Sequence, residues 1–190
     1  MRLQDIIRLE LERMGGPLIT LETGTIRSPD KRYLRGDGWS TLTFANYTKK
    51  NGGQFTSIDR EVQSAMIVLS DPDLCGGEED LLEYVDLREG DSRDELPLVV
   101  EELTAQKKSL DLVLLDSDNI ASLTLDEFLL VRPAMRAGSV LLVDDVDLNS
   151  TEVLKGHEIL PFLASKGHKT EIIQRDGDGF TTGVLKVIIR

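Results

Sequence analysis

LITLETGTIRSPDKRYLRGDGWS, residues Leu18 to Ser40, is the stretch on which the reading of this chain turns. A short apolar run ends in an acid, Glu22, and opens into a loop carrying Gly24, Gly36 and Gly38. A strand that stops at a carboxylate and continues as glycine-rich backbone puts bare peptide groups at a sheet edge, where a small ligand can approach closely. The stretch predicts a first strand over Leu18 to Leu21, then a cofactor-binding turn. A helix follows from Ser40, whose hydroxyl can cap free amides.

Upstream, Leu3, Ile7, Leu11 and Met14 recur at helical spacing until Gly15-Gly16-Pro17, predicting an amphipathic helix over 3–14 that covers a sheet or meets a partner. Downstream, Gln54 to Asp59 reads as a second strand, and Val62, Ala65, Met66 and Leu69 as a helix broken by Asp71-Pro72. DPDLCGGEED reads as a polar loop with solvated acids. Tyr84 to Leu87 is a short third strand, after which Ser92 and Glu95 have capping-box spacing ahead of Leu96, Val99, Val100 and Leu103. Leu110 to Leu115 and Ser139 to Val143 are nearly all apolar, as central strands covered on both faces are. Leu125, Phe128, Leu129 and Met135 mark a helix between them. Thr151 to Lys166, interrupted by Pro161, is a last helix, and His168 to Gln174 with Gly183 to Ile189 form a terminal hairpin.

Alternating strands and helices with right-handed crossovers predict an α/β fold: a doubly wound, mostly parallel sheet with a C-terminal antiparallel hairpin, in one domain over 1–190. The formal charge of −12, with no basic stripe, argues against nucleic acid and toward small molecules or proteins as partners. Cys75 is the lone cysteine, and no apolar run approaches the roughly 18 residues of a membrane span. The mixed charges of MRLQDIIRLELERM are unlike a signal peptide, so a cytoplasmic location is expected.

Acids recur at strand ends: Glu22, Asp59, Asp116, and the adjacent Asp144 and Asp145. In an open parallel sheet these ends share the ligand-binding edge. An acid after the second strand suits a ribose diol, and one after the first suits an ammonium group or an ordered water. Each acid taken alone also reads as a turn or helix-start residue satisfied by backbone amides. His157 and His168 fall away from this edge.

On these residues the chain resembles the class I S-adenosylmethionine-dependent methyltransferases over nearly its whole length. Glu22-Thr23-Gly24-Thr25 is similar to the family's first motif, Asp59 to its ribose-binding acid, Gly90-Asp91-Ser92 to its adenine-side loop, and Asp116 to the acid after strand four. The resemblance implies seven strands and cofactor contacts at Glu22, Gly24, Ser40, Asp59, Asp91, Ser92 and Asp116. One departure is IRSPDKRYLR, residues 26–35, which separates Gly24 from Gly36-Asp37-Gly38 and reads as an inserted loop or lid carrying Arg27, Lys31, Tyr33 and Arg35. LLDSDN and LLVDDV resemble the metal-dependent small-molecule O-methyltransferases. That likeness implies magnesium on Asp116, Asp144 and Asp145, with Asp118 as base near a hydroxylated acceptor. Three carboxylates from two neighbouring strand ends are also what a hard divalent cation needs.

A regular strand would send Asp144 and Asp145 to opposite faces, so one of them as a simple cap is the competing reading. With only residues 1–16 before the sheet, the acceptor pocket needs the inserted loop, the segment from Asn149 to Gly156, or a second subunit docked through the first helix. Two other functions stay open: a non-catalytic module that keeps the cofactor pocket, and a nicotinamide-dependent enzyme. ETGTIR lacks the G-x-G-x-x-G that the latter wants.

Overall fold

The computed structural model describes residues 1–30, 39–75, 80–147, 149–152, 154–174 and 182–190. The chain runs α1 (Leu3–Met14), β1 (Leu18–Thr23), α2 (Ser40–Asn51), β2 (Gly53–Asp59), α3 (Gln63–Ser70), the single turn α4 (Pro72–Cys75), β3 (Asp86–Glu89) and α5 (Ser92–Ala105). It continues with β4 (Leu110–Leu115), α6 (Ala121–Val131), β5 (Met135–Val146), α7 (Gly156–Ser165), β6 (Thr170–Gln174) and β7 (Gly183–Ile188). The strands form one seven-stranded sheet in the order β3-β2-β1-β4-β5-β7-β6. All neighbours are parallel except β7, which is antiparallel to β5 and β6.

Strand periodicity explains why both faces are covered. Leu112 and Leu114 of β4 and Val140 and Leu142 of β5 join a core with α1, α2 and α3. Their neighbours Val113, Leu115, Leu141 and Val143 join a second core with α5, α6 and α7. The stretches Leu112–Leu115 and Val140–Val143 are therefore apolar at every position, because alternate residues enter different cores. Helix α1 lays Leu3, Ile6, Ile7 and Leu11 into the first core, and Glu10 on the same helix is bonded to Lys186 of β7. Its apolar stripe thus covers the sheet.

Several local expectations change. Ser40 is the first helical residue of α2 and makes no cap, because its hydroxyl is directed to Glu22. Asp91, not Ser92, caps α5: its backbone is extended and its carboxylate accepts from Arg93 N. Strand β3 starts at Asp86 rather than Tyr84, since Leu82–Tyr84 closes a 3-10 turn. Within DPDLCGGEED, Pro72–Cys75 forms a helical turn. Met135 opens β5 instead of closing a helix, and the last helix begins at Gly156 rather than Thr151. Strand β6 starts at Thr170 rather than His168. Among the described residues no helix is long and apolar enough to cross a membrane.

Candidate functional site

Backbone bonds tie the carboxyl ends of the strands into one rim. Gly24 N donates to Ile58 O, Gly90 N to Asp59 O and Asp116 N to Thr23 O, each at 2.9 Å. Gly24 has φ +86°, and a Cβ there would lie 2.3 Å from the Asp116 carbonyl oxygen. Only glycine permits both that conformation and that approach. Lys31, Tyr33, Arg35, Gly36 and Gly38 lie outside the described residues, whereas Arg27 lines the groove beside Gly24.

Glu22 does not face an open ligand site. It is 0% exposed and accepts hydrogen bonds from Ser40 (2.8 Å), Thr41 (2.5 Å) and Ser57 (2.7 Å), one hydroxyl from β2 and two from α2. Burial pushes its pKa up to about 8, against the opposing pull of the three hydroxyls. The expected cofactor acid is instead the brace that sets α2 against β1 and β2. Ser40 is drawn into the same cage, so its side chain is directed inward to Glu22.

The groove proper is a cavity of about 100 Å³ lined by Gly24, Asp59, Arg60, Gly90, Ser92 and Asp118, among others. Asp59 accepts Thr25 N at 2.9 Å on one oxygen and Glu61 N at 3.2 Å on the other. Each oxygen keeps a further lone pair for a ligand. Arg60 crosses the groove, donating to Asp91 at 3.2 Å and Asp118 at 3.3 Å. Arg93, first, and then Arg60 hold the Asp91 pKa down to about 2. A larger hollow of about 440 Å³ lies at the opposite, amino-terminal strand edge near Gln54, Tyr84 and Arg88, and none of the rim acids reaches it.

Beneath the groove floor, Glu127 of α6 accepts from Thr23 at 3.2 Å and from Ser117 at 2.9 Å. Burial raises its pKa. The carboxylate is fully enclosed. Sequence reasoning missed Glu127, although its spacing from Leu123 and Val131 puts an acid on an otherwise buried helical stripe.

At the other end of the rim Asp116, Asp144 and Asp145 converge, with carboxylate oxygens within 4.8 Å of one another. Regular pleating would have separated the adjacent pair. Asp145 instead has φ +52°, and the pairing of β5 with β7 shifts register between Val143 and Val146. That bulge turns both acids to one side. Thr182 steadies Asp145 with a 3.1 Å bond.

The triad encloses a cation that the sequence reading overlooked. Lys155, immediately before α7 and 2% exposed, donates from Nζ to Asp116 Oδ1 at 2.7 Å. Burial pulls its pKa down, but Asp116, Asp144 and Asp145 outweigh that and hold it above the ordinary lysine value. It is the only lysine or arginine between Arg136 and Lys166, which was the available signal. Asp118 is separate from the triad, half exposed and paired with Arg60. The structure therefore brings Asp59, Asp91, Ser92 and Asp118 around one groove, and Asp116, Asp144 and Asp145 around another point on the same edge.

Residues 35–146, more than half of the chain, match the family model described as a methyltransferase domain. A search of curated proteins by sequence returns no match. Among solved structures, the O-methyltransferase TomG from Streptomyces achromogenes, in complex with SAM, superposes with a TM-score of 0.73 at 20% identity, covering 98% of this chain and 78% of that one. Cofactor-bound Rv0187 from MTB gives 0.71 at 18% identity, and the Bacillus cereus O-methyltransferase in complex with SAH gives 0.68 at 20%, both with the same coverages of 98% and 78%. The sheet order, the reversed β7 and the carboxyl-edge groove are those of the class I S-adenosylmethionine-dependent methyltransferases, and the chain belongs to the methyltransferase-domain family.

Proposed function

We propose that this chain transfers a methyl group from S-adenosylmethionine to the hydroxyl of a small acceptor. The observation that carries this reading is one rim with two halves: a glycine-lined groove with acceptor carboxylates beside a convergent acid triad. In the first half Asp59 would accept the ribose hydroxyls, Gly24 would let the backbone close on the cofactor, and Asp91 and Ser92 would border its base. Bound there, the cofactor supplies an electrophilic methyl on a sulfonium. A groove of about 100 Å³ is well under the roughly 300–1,000 Å³ of ligand pockets, so Arg60 would swing off Asp91 and Asp118 to admit a nucleoside.

In the second half the donor set of Asp116, Asp144 and Asp145 suits a hard divalent cation such as magnesium. When bound, that ion supplies acidification of an acceptor hydroxyl. Asp118, once released by Arg60, is the candidate base, able to take the acceptor proton on a carboxylate oxygen. Glu22 and Glu127, both enclosed, would hold the cofactor strand ends in register without touching the reactants.

Calorimetric titration with S-adenosylmethionine and with its demethylated product, each with and without magnesium, tests the reading. Saturable binding of both is expected. No heat from either, with the protein folded by circular dichroism, would discard it. Asp144→Ala should retain cofactor binding and lose turnover, whereas a non-catalytic binder has no turnover to lose.

A further inference from the structure

We infer that Lys155 is the resident cation of the acid triad and that a divalent ion enters only by displacing its ammonium from Asp116. The inference rests on the cation-site reading of Asp116, Asp144 and Asp145 given above. Three observations carry it. The ammonium is already within 2.7 Å of one triad oxygen, so it occupies a coordination direction that a metal would use. The side chain is 2% exposed, which leaves it no solvated alternative without moving the segment that carries it. The triad oxygens span no more than 4.8 Å, so an ammonium and a divalent ion sharing them would repel at close range.

The position of Lys155 in the chain gives displacement a route. It lies immediately before α7 rather than on a strand. A shift of the amino end of α7 would withdraw the ammonium and open the acids together. Lys155 is accordingly a positioning residue that sets metal affinity: it keeps the triad charge-compensated while the site holds no ion and is exchanged when one loads.

The test compares the wild-type chain with Lys155→Met, which keeps the buried stem and deletes the charge. Manganese(II) binding is measured by calorimetry, and thermal unfolding is followed with and without the ion. Loss of a charge-assisted competitor should tighten manganese binding on the order of tenfold or more. Manganese should also raise the unfolding temperature of Lys155→Met further than that of the wild type. Equal or weaker affinity in the variant, or no binding by either protein, overturns the inference.

Should the variant fail to fold, the wild type alone decides. Saturating manganese must then raise modification of Lys155 by an amine-reactive reagent, read by mass spectrometry. Unchanged labelling at saturation overturns the inference. Parallel titration with S-adenosylmethionine keeps the two readings apart, because absent cofactor binding sinks the methyltransferase proposal while leaving the manganese comparison interpretable.

Discussion

At one end of the rim Arg60, 60% exposed, bridges Asp91 and Asp118; at the other Lys155, 2% exposed, is bonded to Asp116 with Asp144 and Asp145 around it. Each end gathers acids from different elements around one basic side chain. Their surroundings differ. Arg60 works in water, where the attraction is screened and the alternative is hydration, so the bridge can open at little cost. Lys155 is buried against acids that are themselves at most partly exposed, so its removal leaves carboxylates uncompensated. One edge of one sheet thus carries an exposed, screened contact and a buried one.

The largest expected effect breaks the buried end. Lys155→Met, unfolded in urea without divalent ions, should lose about 3–5 kcal/mol. A loss under about 1 kcal/mol would mean that the triad is as hydrated as the Arg60 end. Gly24→Ala strikes the join between the two halves, since its new methyl would meet the Asp116 carbonyl at 2.3 Å in a backbone with φ +86°. We expect a cost of about 2–3 kcal/mol and loss of S-adenosylmethionine binding by calorimetry.

Glu22 sharpens the contrast through pH. Its folded pKa of about 8 stands above the ordinary 4.5, so between those values the folded chain keeps a proton that the unfolded chain has released. The stabilising contribution is full below the unfolded value and is lost as pH rises toward 8. Urea stability of the wild type should therefore fall from pH 5 to pH 7 by roughly 2–3 kcal/mol more than that of Glu22→Gln, which cannot ionise. The smallest effect belongs to the exposed end: Arg60→Ala should change stability by under about 1 kcal/mol, with the difference shrinking as salt is added. A loss matching that of Lys155→Met would end the comparison.

Much of this was legible before folding. The run Leu110–Leu115, apolar but for Asp111, was readable because a strand covered on both faces has few polar positions, and its predicted limits match the structure. Helix α1 was readable from a 3.6-residue period with a Gly-Gly-Pro stop. The caps misled, because Ser40 has capping chemistry but found a buried acid, Glu22, that local spacing does not reveal, and Asp91 took the cap of α5 in place of Ser92. Glu22 lies at the carboxyl end of β1 as expected, yet its orientation depended on Thr41 and Ser57 from two other elements. Asp144 and Asp145 were readable as residues and undecidable as a pair, since only the positive φ of Asp145 turns them together.

By itself the sequence determined the order of elements, the two apolar faces of the sheet and the arrival of five acids at strand ends, because periodicity and strand polarity are local and directional properties of the chain. Only the tertiary structure decided which acids line the groove, which brace the frame and which hold a lysine. Those assignments depend on desolvation and on partners as far apart as Asp116 and Lys155, and a linear pattern does not encode distance through space.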